Sequence, residues 1–139
     1  MPIVTDTGFA PDDLNHGFTT VEDLPANGPV AIDLPSDADL APVLSRLDEA
    51  TAIRVAFPSF ADGRGFTIAR QLRQAGYKGR LRAFGHVIAD QYAMARRAGF
   101  DEVEIDDTLA ARQPEDQWRA RADWQAHDYQ SRLGRRRAG

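Results

Sequence analysis

The chain has 139 residues, of which 42% are hydrophobic and 27% charged, with a formal net charge of −4 and no cysteine. That length suits one domain and excludes a complete (β/α)8 barrel, which takes about 250 residues, unless two chains share one. Without cysteine there is no disulfide, thiolate-held iron–sulfur cluster, Cys-based zinc site or cysteine nucleophile, and no apolar run nears the roughly 20 residues of a membrane span.

Residues 1–28 are rich in Asp, Pro, Gly, Thr and Asn without a sustained period, and read as an irregular N-terminal arm. Phe9, Leu14, Phe18, Val21 and Leu24 give it apolar anchors, and Gly17-Phe18-Thr19-Thr20-Val21 has the composition of an edge strand or hairpin piece. From Pro29 two periodicities alternate. Val30–Leu34 is a short buried-type strand stopped by Pro35, and Leu40, Val43, Leu44 and Leu47 mark one face of a helix ending near Ala50. Ala52–Phe57 is the next strand, ended by Pro58. Phe66, Ala69, Leu72 and Arg73 then describe a helix closed by Gly76. Leu81–Phe84 is a third strand, Val87, Ile88, Tyr92 and Ala95 a third helical stripe closed by Gly99, and Glu102–Ile105 a fourth strand. In the tail, Trp118, Arg121, Ala122, Gln125 and Tyr129 recur at helical spacings after Pro114-Glu115-Asp116, which predicts a C-terminal helix over about 109–132 that docks Trp118 and Trp124.

This is βαβαβαβ with short connections. It predicts an α/β fold with a four- to five-stranded, mainly parallel sheet, open or half-barrel-like, and a single domain over residues 29–139. Both architectures put ligands beyond the carboxyl ends of the strands. The loops so nominated are Asp33, Pro58–Gly65, Gly85-His86 and Asp106-Asp107.

In the second of these loops, Asp62, Gly63, Arg64 and Gly65 are candidate anion-binding residues. Glycines permit close backbone approach, a helix start leaves N–H groups free, and a guanidinium fork suits carboxylate, phosphate, sulfate or sulfite. An Asp62 cap with Arg64 paired to it needs no ligand, so both readings are open at this level. In the third loop His86 and Asp90 are candidate proton-transfer residues and Gln91 a candidate ligand contact. His16, His86 and His127 form no spaced metal motif, no dinucleotide or Walker A fingerprint appears, and Ser59 lacks the glycines of a nucleophile elbow, so neither a metal nor a cofactor is predicted. Arg135-Arg136-Arg137 is too short to indicate nucleic acid.

Charge divides unevenly. Residues 1–50 hold ten acids and one base, whereas residues 54–97 hold nine bases against Asp62 and Asp90. Such a module either meets an anion or acidic partner, or is neutralised by the acidic half of its own chain.

The runs Phe57-Pro58-Ser59-Phe60-Ala61-Asp62-Gly63-Arg64-Gly65-Phe66-Thr67-Ile68-Ala69-Arg70 and Leu81-Arg82-Ala83-Phe84-Gly85-His86-Val87-Ile88-Ala89-Asp90-Gln91, followed by Ala98-Gly99-Phe100-Asp101, resemble the bacterial domain of unknown function 934. Its members are often encoded beside assimilatory sulfite reductase, and some carry the label of probable oxidoreductase in sulfite reduction. The resemblance places the family signature on Phe57, Pro58, Phe60, Asp62, Gly63, Arg64, Ala69 and Arg73, and on Arg82, Ala83, Gly85, Val87, Asp90, Gln91, Gly99, Phe100 and Asp101. His86 stands where the family commonly has an acid, and Arg80 where it often has Glu. What the resemblance implies is an accessory protein of sulfite reduction, acting with sulfite reductase or another acidic sulfur-assimilation protein through the basic module. The alternative is a small-oxyanion-binding enzyme with a borrowed redox cofactor. With no secretory signal at Met1-Pro2-Ile3-Val4, the expected compartment is the cytoplasm, with neither membrane nor nucleic acid as partner and an oligomer allowed.

Overall fold

Alternation at period two sorts the strand residues between two faces. Val30, Ile32 and Leu34 are buried, as are Ile53, Val55, Phe57, Leu81, Ala83 and Val103, and they pack with Phe66, Ala69, Leu72, Tyr92 and Ala95 in one apolar core. Each Val, Leu, Ile or Phe fully buried in this way contributes about 1.5–3 kcal/mol. The intervening positions Asp33, Arg54, Arg82, Phe84, Glu102 and Glu104 share the opposite face. The structure, a computed structural model, describes residues 2–14, 17–122 and 124.

Seven strands form one sheet: β1 (Ile3–Thr5), β2 (Gly8–Ala10), β3 (Thr19–Thr20), β4 (Val30–Leu34), β5 (Ala50–Phe57), β6 (Arg80–Gly85) and β7 (Glu102–Glu104), in the spatial order β2-β1-β7-β6-β5-β4-β3. From β3 to β7 all pairings are parallel and strand order follows chain order, while β1 is antiparallel to both β7 and β2. Strand order never reverses among β3–β7. The crossovers, right-handed by rule, therefore stack their helices on one face, as in part of a barrel wall rather than in a doubly wound sheet.

The helices are α1 (Ala41–Leu44), α2 (Arg64–Gln74), α3 (Tyr92–Ala98), α4 (Asp107–Arg112) and α5 (Glu115–Arg119). Gly65, Phe66, Ile68, Ala69 and Leu72 form the buried stripe of α2, and Tyr92, Ala95 and Ala98 that of α3. Gly99 ends α3 with a φ of 119°, in the left-handed region that favours glycine.

Three expectations change. The sheet has seven strands rather than four or five, because the arm read as irregular supplies β1 and β2, pieces of three residues too short to display a period, while β3 falls within residues 17–21, the stretch of edge-strand composition, and lies at the sheet edge. The helix expected up to Ala50 is only α1, with Pro42 at its start; turns follow, and β5 begins already at Ala50. The C-terminal helix is divided at Gln113-Pro114 into α4 and α5, since proline has no N–H to continue α4. Its predicted continuation through Gln125 and Tyr129, the Arg135–Arg137 run, His16 and His127 lie outside the described residues. Trp118 is fully buried, meets the Tyr92 ring edge-on at 6.2 Å and donates to the Gln113 carbonyl at 2.8 Å.

Candidate functional site

The carboxyl ends of β4 to β7 fall at Leu34, Phe57, Gly85 and Glu104, and the segments that follow them are stitched together along one rim. After β5, Asp62 Oδ1 accepts from the backbone N–H of Arg64 at 3.1 Å and from its Nε at 3.0 Å, and Oδ2 accepts from Nη2 at 2.7 Å. The same Nη2 donates to Ser36 Oγ at 2.9 Å, tying in the segment after β4. Hydrogen bonding to Arg64 holds the Asp62 carboxyl far below the usual carboxylate range and raises the Arg64 guanidinium in return. The glycines here supply room rather than positive φ. Gly63 has a φ of −89°, and a Cβ on Gly65, inside α2, would lie 2.5 Å from the Phe57 ring.

Gln91 joins the segments after β5 and β6. Its Oε1 accepts from the Ile88 N–H at 3.0 Å, holding the start of a short 3-10 turn, and its Nε2 donates to the Phe60 carbonyl at 2.9 Å. His86 donates its backbone N–H to the Phe57 carbonyl at 2.9 Å, and its exposed ring meets Phe60 edge-on at 5.2 Å. Asp62, Gly63, Arg64, Gly65, Gln91 and His86 thus stand on one rim. Asp90 is drawn elsewhere: its carboxylate is ion-paired with Arg121 at 2.5 Å.

Two pockets open at this rim. One, of about 240 Å³, is bordered by Phe57, Pro58, Phe84, His86 and Asp106. The other, of about 290 Å³, is bordered by Thr20, Glu22, Asp33, Pro35 and again Phe84. Arg64 lines neither. Asp106 accepts the Leu109 N–H at 2.7 Å as the N-cap of α4. Sequence reasoning nominated His86, Asp33 and Asp106 but missed Phe84 and Glu22. The signal for Phe84 was present: in a strand, residues 82 and 84 share a face. Among the described residues no group of three or more His, Asp or Glu is placed to hold a metal ion.

Beneath the rim, on the face opposite the core, runs a charged row. Register aligns Asp33, Arg54, Arg82 and Glu102 across four strands. Arg82 is fully buried and donates to Glu102 at 2.6 Å, Glu104 at 2.8 Å and both oxygens of Asp12 at 3.1 Å. Arg54 grips Asp33 through two nitrogens and lies over the Phe18 ring at 4.3 Å and the Phe84 ring at 4.4 Å. Arg80 pairs with Asp13 and Glu102, and Arg96 with Asp6. Four acids of the N-terminal half therefore neutralise four bases of the basic module. Arg64 and Arg73 are paired with Asp62 and Asp101, leaving Arg70, Lys78 and Arg97 exposed without an ion pair among the described residues.

Fold and rim together define a singly wound α/β protein with ligand-sized pockets at the carboxyl edge of its parallel strands. Residues 31–138 match the family described as "Bacterial protein of unknown function (DUF934)", and this chain belongs to that family. No curated protein and no solved structure matches it.

Proposed function

We propose that this protein is an accessory factor of assimilatory sulfite reduction whose working edge is the carboxyl rim of β4 to β7. The process is what the family resemblance implies. The edge rests on one observation: the Gln91 Nε2 bond to the Phe60 carbonyl, which closes the two signature loops against each other beside an open pocket. Docking on sulfite reductase through this rim would use Phe60, a large apolar side chain left 45% exposed. Most of the basic module is internally neutralised, so this contact would rest on the apolar side chain rather than on charge.

The test is deletion in the source bacterium followed by growth on sulfate, sulfite or sulfide. The expected result is failure on sulfate and sulfite with rescue by sulfide, restored by the wild-type chain but not by Phe60→Ser at equal protein abundance. Normal growth of the deletion strain on sulfite overturns the proposal.

A second reading, a small-oxyanion-binding enzyme with a borrowed cofactor, is favoured by the 60% exposure of the Arg64 side chain. Against it, an incoming anion must compete with the Asp62 carboxylate already seated in the fork. Calorimetry with sulfite decides: binding by wild type that Arg64→Ala abolishes supports an anion site, and absence of sulfite binding removes it.

A further inference from the structure

The two rim pockets adjoin along a shared border. Both are bordered by Ala56 and Phe84, which are register partners on β5 and β6, and the small Ala56 leaves the space over Phe84 open. Their joint size falls within the range of about 300–1,000 Å³ common for small-molecule sites. The floor is apolar and flat-sided, built on Phe84, Pro58 and Pro35.

Apart from the Arg54 cation, which lies over one face of Phe84 at 4.4 Å and pairs with Asp33, charge at the mouth is mainly acidic. No lysine or arginine borders either pocket, and the ionisable groups are Glu22, Asp33, Asp106 and His86. Asp33 is already occupied by Arg54. Glu22 is exposed and unpaired among the described residues, and Asp106 commits only Oδ1 to the α4 cap. Unused acceptors therefore outnumber donors, so the depression disfavours an anion and suits a group that donates hydrogen bonds.

The molecule shows the same recognition on a smaller scale. The Arg54 guanidinium, a planar cation, lies between the Phe18 and Phe84 rings and is gripped edge-on by the Asp33 carboxylate. We propose that the depression binds a planar aromatic ring with a cationic or amino edge, its face against Phe84 and its donors toward Asp106 and Glu22. This rests on reading the carboxyl rim as the working edge, and on no metabolic role.

The experiment uses the full chain, 15N-labelled, with three probes of one shape and different charge: benzamidine, benzamide and benzoate. Benzamidine is expected to move the amides of Gly85, His86 and Asp106 and to bind about tenfold more tightly than benzoate, the equivalent of one or two solvated charge contacts, with benzamide between them. Combining Glu22→Gln with Asp106→Asn, which keeps a capping side chain, removes that preference. Phe84→Leu weakens binding of every probe. Benzoate binding as tightly as benzamidine overturns the proposal, as does any result in which no probe moves the rim amides. Because these titrations use purified protein, they succeed or fail independently of the growth phenotype.

Discussion

Asp12 sets its two carboxylate oxygens 3.1 Å from Nη1 and Nη2 of Arg82, across 70 positions of sequence, and so fixes the N-terminal segment to the helix-free face of the sheet. The two partners differ in burial: Arg82 has no exposed surface, whereas the Asp12 side chain is 41% exposed. Arg82→Met is therefore expected to cost about 3 kcal/mol or more, because Glu102 and Glu104 stay buried with one cation fewer. Asp12→Asn is expected to cost only about 0.2–1 kcal/mol, as for a solvated pair. Urea denaturation of both variants checks this, and equal losses would contradict the assigned asymmetry.

Acid stability follows from the same contacts. Hydrogen bonding to Arg82 lowers the Asp12 carboxyl below its ordinary value of 3.8 despite the opposing effect of burial, and Arg64 does the same for Asp62. A group depressed in the folded state adds stability that is fully present above its unfolded value and lost as pH falls through the folded one. The wild type is thus expected to lose stability below about pH 4, with a shallower decline in Asp12→Asn. Melting temperatures measured between pH 5 and pH 2 give the answer; parallel curves would remove Asp12 from the account.

At the alkaline end the sign reverses. Burial pushes the Tyr77 hydroxyl up to about 12, partly countered by the charge of Arg73, and the hydroxyl donates to the Arg80 carbonyl at 3.1 Å. Above its ordinary value of 10.0 the unfolded chain releases this proton while the folded chain keeps it, so stability falls as pH rises from about 10 to 12. Tyr77→Phe should make that limb shallower, the raised hydroxyl of buried Tyr92 still contributing, which denaturant midpoints across pH 9–12 would reveal.

Gly85 carries a φ of 112°, and a Cβ there would approach the Phe57 carbonyl oxygen to 2.8 Å. Gly85→Ala combines left-handed backbone strain with a backbone clash and is expected to cost about 2–3 kcal/mol. Gly76→Ala, at a φ of 101° with no atom near its Cβ, bears the strain alone and should cost about 1–2 kcal/mol. A Gly85→Ala protein as stable as Gly76→Ala would show that β6 can shift away from Phe57.

Gln91→Leu keeps similar bulk but loses both the Ile88 and Phe60 bonds, at an expected cost of about 1–2 kcal/mol. The more telling readout is local: amide exchange at residues 60–64 should quicken while that of β5 stays unchanged. Uniform quickening throughout the chain would mean that Gln91 serves the whole fold rather than the rim.

Local pattern was enough for much of this protein. The Val30–Leu34 and Leu81–Phe84 strands, the α2 stripe of Phe66, Ala69 and Leu72, the glycine that ends α3 and the nomination of the carboxyl edge all follow from spacings within a dozen residues, where period and punctuation are set by backbone geometry. Other features depended on partners distant along the chain. Asp12 on Arg82, Asp6 on Arg96 and Glu115 holding the Phe9 N–H at 2.8 Å fasten the first part of an apparently irregular arm, where β1 and β2 form, because such short strands exist only by pairing with a sheet already formed. Tertiary structure likewise neutralised most of the basic module and drew Asp90 to Arg121, since these partners are far apart in the sequence and ion pairing follows distance in space. It also placed Phe84 beneath two adjoining pockets, a consequence of parallel register that sets Ala56 beside it.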